Sequence, residues 1–316
     1  MSRRTTTRTT ALALAAALCL TALTACTAPA ADERPSVVVT TNILGDVVTA
    51  LAGDALAVAT LMPPGADPHA FELSAQQAQS LRTADLVVSN GLGLEEGLQR
   101  HVDASAADGA DQFVAGDHVQ VLGYADADAD DPHFWTDPGQ MTRVVEALLP
   151  ELTALAGAGA GAGAGAETAV ETVQAAGRQY LADLAALDAE MTAAFAAIPA
   201  DRRALVTNHH VFGYLAARYD VRILGAAIPG GTTLAAPSAG DLRDLVDAID
   251  AAGVPTIFAE SSQPDRLMQV LADEAGRDVQ VVSLPTESLA ARGEPADTYL
   301  DMMRVVTQRI SHGLAP

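Results

Sequence analysis

The chain has 316 residues, enough for two ordinary domains and a sizeable core. It carries 40 acidic against 18 basic residues, all the basic ones arginine, for a formal charge of −22. That balance excludes a basic nucleic-acid footprint and is compatible with capture of cations. Residues 1–25 read as a secretory signal and not as a membrane span. Arg3, Arg4 and Arg8 precede a short apolar run over 11–23 at the extreme N-terminus, and Arg3-Arg4 also fits a twin-arginine signal. The run ends Leu23-Thr24-Ala25-Cys26, the pattern at which a lipoprotein signal is cleaved before a lipidated Cys26. Cys19 leaves with the signal, so the mature chain has no disulfide and no thiol for catalysis or zinc binding. Residues 26–35, small, polar and proline-bearing, read as a tether between a lipid anchor and the folded part.

From residue 36 onward strands and helices alternate. The β-branched run 36–41 predicts a buried strand, 43–51 a helix, 55–62 a second strand. A proline-rich loop over 63–69 follows and ends in Asp67-Pro68-His69. Ser74 with Gln77 forms a capping box for a helix to Arg82. A third strand is expected over 85–89 and a helix over 95–104. Such alternation with short loops predicts a mainly parallel sheet flanked by helices. An acidic run over 124–131 leads to a second Asp-Pro-His, Asp131-Pro132-His133, backed by Phe134 and Trp135. That run is either a solvated loop or a weak cation funnel, and His118 lies just upstream. Asp137 as N-cap with Pro138 in the first turn opens a helix over 138–155.

The alternating Ala-Gly segment 156–166 predicts a flexible insertion. Residues 167–198 then lack proline, and apolar residues recur at helical spacing from Val170 to Phe195. They predict one helix of roughly 45 Å, a strut joining an N-terminal lobe (36–166) to a C-terminal lobe (199–316). The second lobe repeats the style of the first. Strands are expected at 204–207, 221–224, 256–259 and 279–284, and helices at 212–219, 238–252, 264–275 and 295–312. The loop 225–237, with two glycines and two prolines, is a candidate lid.

Candidate ligands stand where strands give way to loops, namely His69, the pair His209-His210, Glu260 and Glu287, and in the loop that runs into the helix at Pro138, namely His133. In open α/β sheets ligands bind beyond the carboxyl ends of strands, so two such lobes face to face predict a cleft where these groups converge. No local zinc motif has such wide spacing; a site of this kind is assembled by the fold. Three imidazoles and a carboxylate suit a divalent transition ion, and four protein donors with no open position make a binding site and not a catalytic one. His101, on an exposed helix, and His312, in the last turn of the last helix, read as structural.

Four stretches carry a family resemblance: PPGADPHAFELS (63–74), DPHFWTDP (131–138), TNHHVFGYLAARYDV (207–221) and LPTESLAARGEPADTYLDMM (284–303). In this order they resemble the metal-binding lipoproteins of bacterial ABC importers, the zinc- and manganese-specific cluster. The resemblance implies two α/β lobes joined by one long helix, with the metal in the cleft between them. It implies His69, His133 and His209 as ligands, with His210 on a non-ligand position. The fourth ligand falls on Glu287, where the family usually has aspartate; that departure leaves Glu260 as the alternative carboxylate. Histidine at the third position resembles the zinc-type members. The implied function is extracytoplasmic capture of Zn²⁺ by a monomeric, membrane-anchored lipoprotein, with delivery to an ABC permease and loading by a periplasmic metallochaperone as a further option. The rivals are the same fold serving Mn²⁺ or Fe²⁺, a zinc-dependent hydrolase, and a surface adhesin.

Overall fold

The computed structural model describes residues 34–124, 129–161, 163–228 and 230–315. The signal, Cys26 and most of the tether lie outside them, as does the centre of the acidic run.

The first lobe is built on β1 (Ser36–Val39), β2 (Ala57–Thr60), β3 (Leu86–Ser89) and β4 (Asp111–Val114), all parallel, in the order β2-β1-β3-β4. The second repeats that order with β5 (Ala204–Thr207), β6 (Arg222–Ala226), β7 (Thr256–Glu260) and β8 (Gln280–Leu284), arranged β6-β5-β7-β8. Central strands of a parallel sheet are covered on both faces, which is why β1, β3 and β5 read as continuous apolar runs. In each lobe the winding direction reverses after the second strand. The switch points therefore fall between β1 and β3 and between β5 and β7, where ligand crevices form.

The helices in chain order are α1 (Asn42–Ala52), α2 (Ala75–Arg82), α3 (Gln99–Ala107), α4 (Pro138–Gly159), α5 (Ala164–Ala196), α6 (Gly213–Tyr219), α7 (Ala239–Ala252), α8 (Arg266–Glu274) and α9 (Tyr299–Leu314). Their starts follow the sequence signals. Ser74 and Gln77 close a reciprocal capping box on α2, Ser238 and Asp241 close one on α7, and Asp137 accepts from the Gly139 N–H with Pro138 in the first turn of α4. The strut is α5, 33 residues and about 50 Å long, carrying the chain from one lobe to the other. Its buried stripe, Val173, Leu184, Leu187, Met191 and Phe195, belongs to one apolar core that also holds Val37 and Leu44 of the first lobe and Tyr214, Met302 and Val306 of the second.

Three expectations are corrected. The Ala-Gly segment is helical at both ends: α4 runs on through Gly159 and α5 starts at Ala164. Small side chains permit this because they let neighbours approach. Ala156 is fully buried, and a Cβ on Gly159 would lie 1.9 Å from the Pro35 ring. The helix expected from residue 95 begins at Gln99, and Glu95 instead turns inward as a buried carboxylate. The last helix begins at Tyr299 and not at 295, with Thr298 as its N-cap. One strand, β4, went unread: DQFV lacks an apolar alternation because it is a half-exposed edge.

Candidate metal centre

Each Asp-Pro-His triplet folds the same way. The Asp67 carboxylate accepts the His69 N–H at 2.9 Å, and the Asp131 carboxylate accepts the His133 N–H at 2.9 Å. This local turn, with the intervening proline fixing φ, aims each imidazole inward. His69 follows β2 and His133 follows β4; His209 follows β5, where its carbonyl accepts the Thr207 hydroxyl at 2.7 Å, and Glu287 follows β8.

All four side chains converge. Their donor atoms lie within 4.8 Å of one another, and each residue is no more than 2% exposed. Glu287 Oε1 is 3.3 Å from His69 Nε2, 3.0 Å from His133 Nε2 and 2.9 Å from His209 Nε2. His69 Nε2 and His133 Nε2 are 3.4 Å apart, and the three rings surround the point with centroid separations of 5.5 to 6.0 Å. Donors on a tetrahedron around zinc, at bonds of about 2.0–2.1 Å, sit about 3.3 Å from each other. The three separations from Glu287 Oε1 and the one between His69 and His133 thus match the spacing of a four-coordinate ion. A second observation agrees: Glu287 Oε2 is buried without a hydrogen-bond partner among the described residues. A buried carboxylate oxygen left this way is costly unless a cation meets it.

The surroundings hold the donors in place. Asp131 Oδ1 lies 2.7 Å from His133 Nδ1, so the imidazole donates there and presents Nε2 to the centre. Burial opposes charge on His133, but the bonds to Asp131 and Glu287 outweigh it and raise its pKa from 6.5 to about 9. Burial would raise Glu287, but the three imidazoles hold it well below the usual carboxylate range. Its loop is tied twice. Trp135 Nε1 donates to the Thr286 carbonyl at 2.8 Å, and Asn42 of the first lobe bonds Ser288 Oγ at 2.7 Å and the Leu289 N–H at 3.0 Å.

Glu260 is not among the converging donors. It is buried, and its carboxylate accepts from the Ser262 N–H at 2.6 Å and the Thr286 N–H at 3.4 Å; burial and the charge of Glu287 push its pKa up. It braces the loop that carries Glu287. His210 points elsewhere, its ring 6.0 Å from Tyr124. His118 stacks on Phe113 at 4.7 Å, and His101 accepts from Arg100 Nε at 3.3 Å, so neither joins the group.

The sequence pattern of the family described as ZnuA, zinc-uptake complex component A periplasmic, matches residues 37–313. The chain belongs to this family. Among its relatives is the manganese ABC transporter substrate-binding lipoprotein PsaA of Streptococcus pneumoniae, 28% identical over 291 residues and covering 90% of both chains. Another is the iron ABC transporter substrate-binding lipoprotein MtsA of Streptococcus pyogenes serotype M1, 28% identical over 316 residues, covering 96% of this chain and 98% of its own. The solved periplasmic zinc binding protein TroA from Treponema pallidum aligns at TM-score 0.80 and 28% identity, covering 90% of this chain and all of that one.

Within this ZnuA-family chain, sequence reading missed Asp131 as the group that orients His133. The available signal was the aspartate two residues before each histidine, which the local turn explains on its own; only the fold shows that Asp131 also reaches the ring. Replacing Asp131 by asparagine keeps the shape but weakens the grip on Nδ1, and zinc affinity should fall about 10- to 100-fold in a competition titration. An affinity equal to wild type would show that the contact is incidental.

Proposed function

We propose that this chain is the extracytoplasmic, lipid-anchored component that captures Zn²⁺ and delivers it to an ABC permease. The observation that carries this reading is the convergence of His69, His133, His209 and Glu287 on one buried point, with their donor atoms within 4.8 Å of one another. Four protein donors leave no open coordination position, which suits capture and not hydrolysis. Three imidazoles favour zinc over the oxygen-rich sets preferred by manganese. The relatives named for manganese and iron keep Mn²⁺ and Fe²⁺ as the second reading. Lipidation of Cys26 would anchor the chain outside the membrane, and the described residues include no helix long and apolar enough to cross one.

Elemental analysis of the mature protein from its native host, followed by competition of zinc against manganese, tests the assignment. The expected result is one tightly held zinc per chain. Manganese or iron in its place would move the assignment to the second reading. No metal, and no thermal shift with any divalent ion, would overturn metal capture altogether.

Capture should also be proton-linked. With His133 titrating at about 9, an ion arriving at neutral pH displaces its proton, so affinity falls as pH drops. Between pH 8 and 6 the loss should be at least about 100-fold, one power of ten per pH unit for each proton released. Calorimetry in buffers of different ionisation heat would count that proton; zero protons released at pH 7 would contradict the linkage. In the metal-free protein the sign is reversed. The stability His133 contributes is complete below pH 6.5 and is lost as pH rises through about 9.

A further inference from the structure

The two Asp-Pro-His turns start alike but are finished differently. In the second, Asp131 reaches past its own turn to His133 Nδ1 at 2.7 Å and steadies the ring directly. In the first, His69 Nδ1 is buried with no hydrogen-bond partner among the described residues. The bonds of Asp67 go elsewhere. Its Oδ1 accepts the His69 N–H at 2.9 Å, and its Oδ2 accepts from Thr233 Oγ1 and from Gln263 Nε2, both at 2.6 Å. Thr233 stands in the loop between β6 and α7, and Gln263 in the loop between β7 and α8, so both of these donors come from the second lobe. The aim of His69 therefore rests on its backbone turn, and that turn is fastened to the opposite lobe.

We infer that Asp67, Thr233 and Gln263 are positioning residues that set the reach of His69 to the metal across the cleft. The inference rests on the metal-capture reading above. Two short donors on one carboxylate oxygen are charge-assisted bonds, roughly twice as strong as neutral ones. The platform they fasten to also carries the fourth ligand. Glu260 accepts the Ser262 N–H at 2.6 Å, beside Gln263, and the Thr286 N–H at 3.4 Å, beside Glu287. A path of hydrogen bonds, joined by the peptide link between Ser262 and Gln263, thus runs from the His69 N–H through Asp67 and Glu260 to the residue before Glu287. It spans the separation of His69 Nε2 from Glu287 Oε1, which at 3.3 Å is the longest of the three imidazole separations from that oxygen. Metal ligands work when their supports hold them to within about 0.5 Å. His133, the other first-lobe ligand, has Asp131 on its ring for that purpose; His69 has the path through Asp67.

The test is a competition titration of the mature protein with zinc alone. The paired variant Thr233→Val/Gln263→Ala removes both second-lobe donors without touching a metal ligand. It should lower zinc affinity by about tenfold, the lower end for outer groups that orient a ligand. Thr233→Ser keeps the hydroxyl and should retain wild-type affinity. The same pair placed in a His69→Ala background separates positioning from plain docking of the lobes. Because the pair acts through His69, the weak affinity left to His133, His209 and Glu287 should change by less than about twofold there, a non-additive cycle. Unchanged affinity in the pair with His69 present overturns the inference. So does a tenfold loss in both backgrounds, which marks a contact that docks the lobes and serves all the ligands alike. Wild-type protein that takes up no zinc would defeat the capture reading itself, and this inference with it.

Discussion

Replacing His133 by alanine should cost more than about 100-fold in zinc affinity, because removal of a donor exceeds the loss typical of groups that merely orient one. His133 is the hub of the centre: it faces Glu287 at 3.0 Å and His69 at 3.4 Å, and Asp131 fixes its tautomer. His69→Ala and His209→Ala should behave alike, since each presents Nε2 to the same Glu287 oxygen. His210→Ala is the informative control. It sits next to a donor in sequence yet outside the converging group, so affinity should stay near wild type. A competition titration on folded protein decides the matter. If His210→Ala loses affinity and His209→Ala keeps it, the assignment is off by one residue.

The second large effect falls on stability. Trp135 is 2% exposed, its ring packs edge-on against Phe134 and His133, and its carbonyl accepts the Tyr299 hydroxyl at 2.8 Å. Trp135→Ala should cost about 3–5 kcal/mol in denaturant unfolding of the metal-free protein, the range for emptying a large aromatic site. Trp135→Phe separates bulk from tether. It fills most of the space but strands the Thr286 carbonyl, at about 1–3 kcal/mol. Because Thr286 precedes Glu287, that variant should also weaken zinc binding. Trp135→Phe with wild-type affinity would show that the tether supports the fold and does not position Glu287.

Much of this protein was legible without coordinates because its signals are local. β-branched runs mark β1 and β3; caps at Ser74, Asp137 and Ser238 mark helix starts; apolar spacing marks α5. Each depends on residues within about one turn of each other, and backbone propensity and side-chain period act at that range. The same holds for the Asp-Pro-His turns, whose aspartate closes on its own second neighbour. Where propensity alone was followed, it failed. The two ends of the Ala-Gly segment became helical because α4 and α5 pack closely there, and β4 formed because β3 offered it an edge.

What the sequence by itself determined is the inventory: loop histidines, a strand-end glutamate, and two lobes in which strands and helices alternate in the same style. Tertiary structure alone decided which of them meet. It chose Glu287 over Glu260 by turning the first into the centre and the second under its loop. It brought Asn42 to Ser288, 246 residues away, and Trp135 to Thr286, 151 away. It set Tyr124 against Gly231. Such pairings depend on how two sheets and one long helix pack around a shared core, and packing at that distance leaves no periodic trace in the chain.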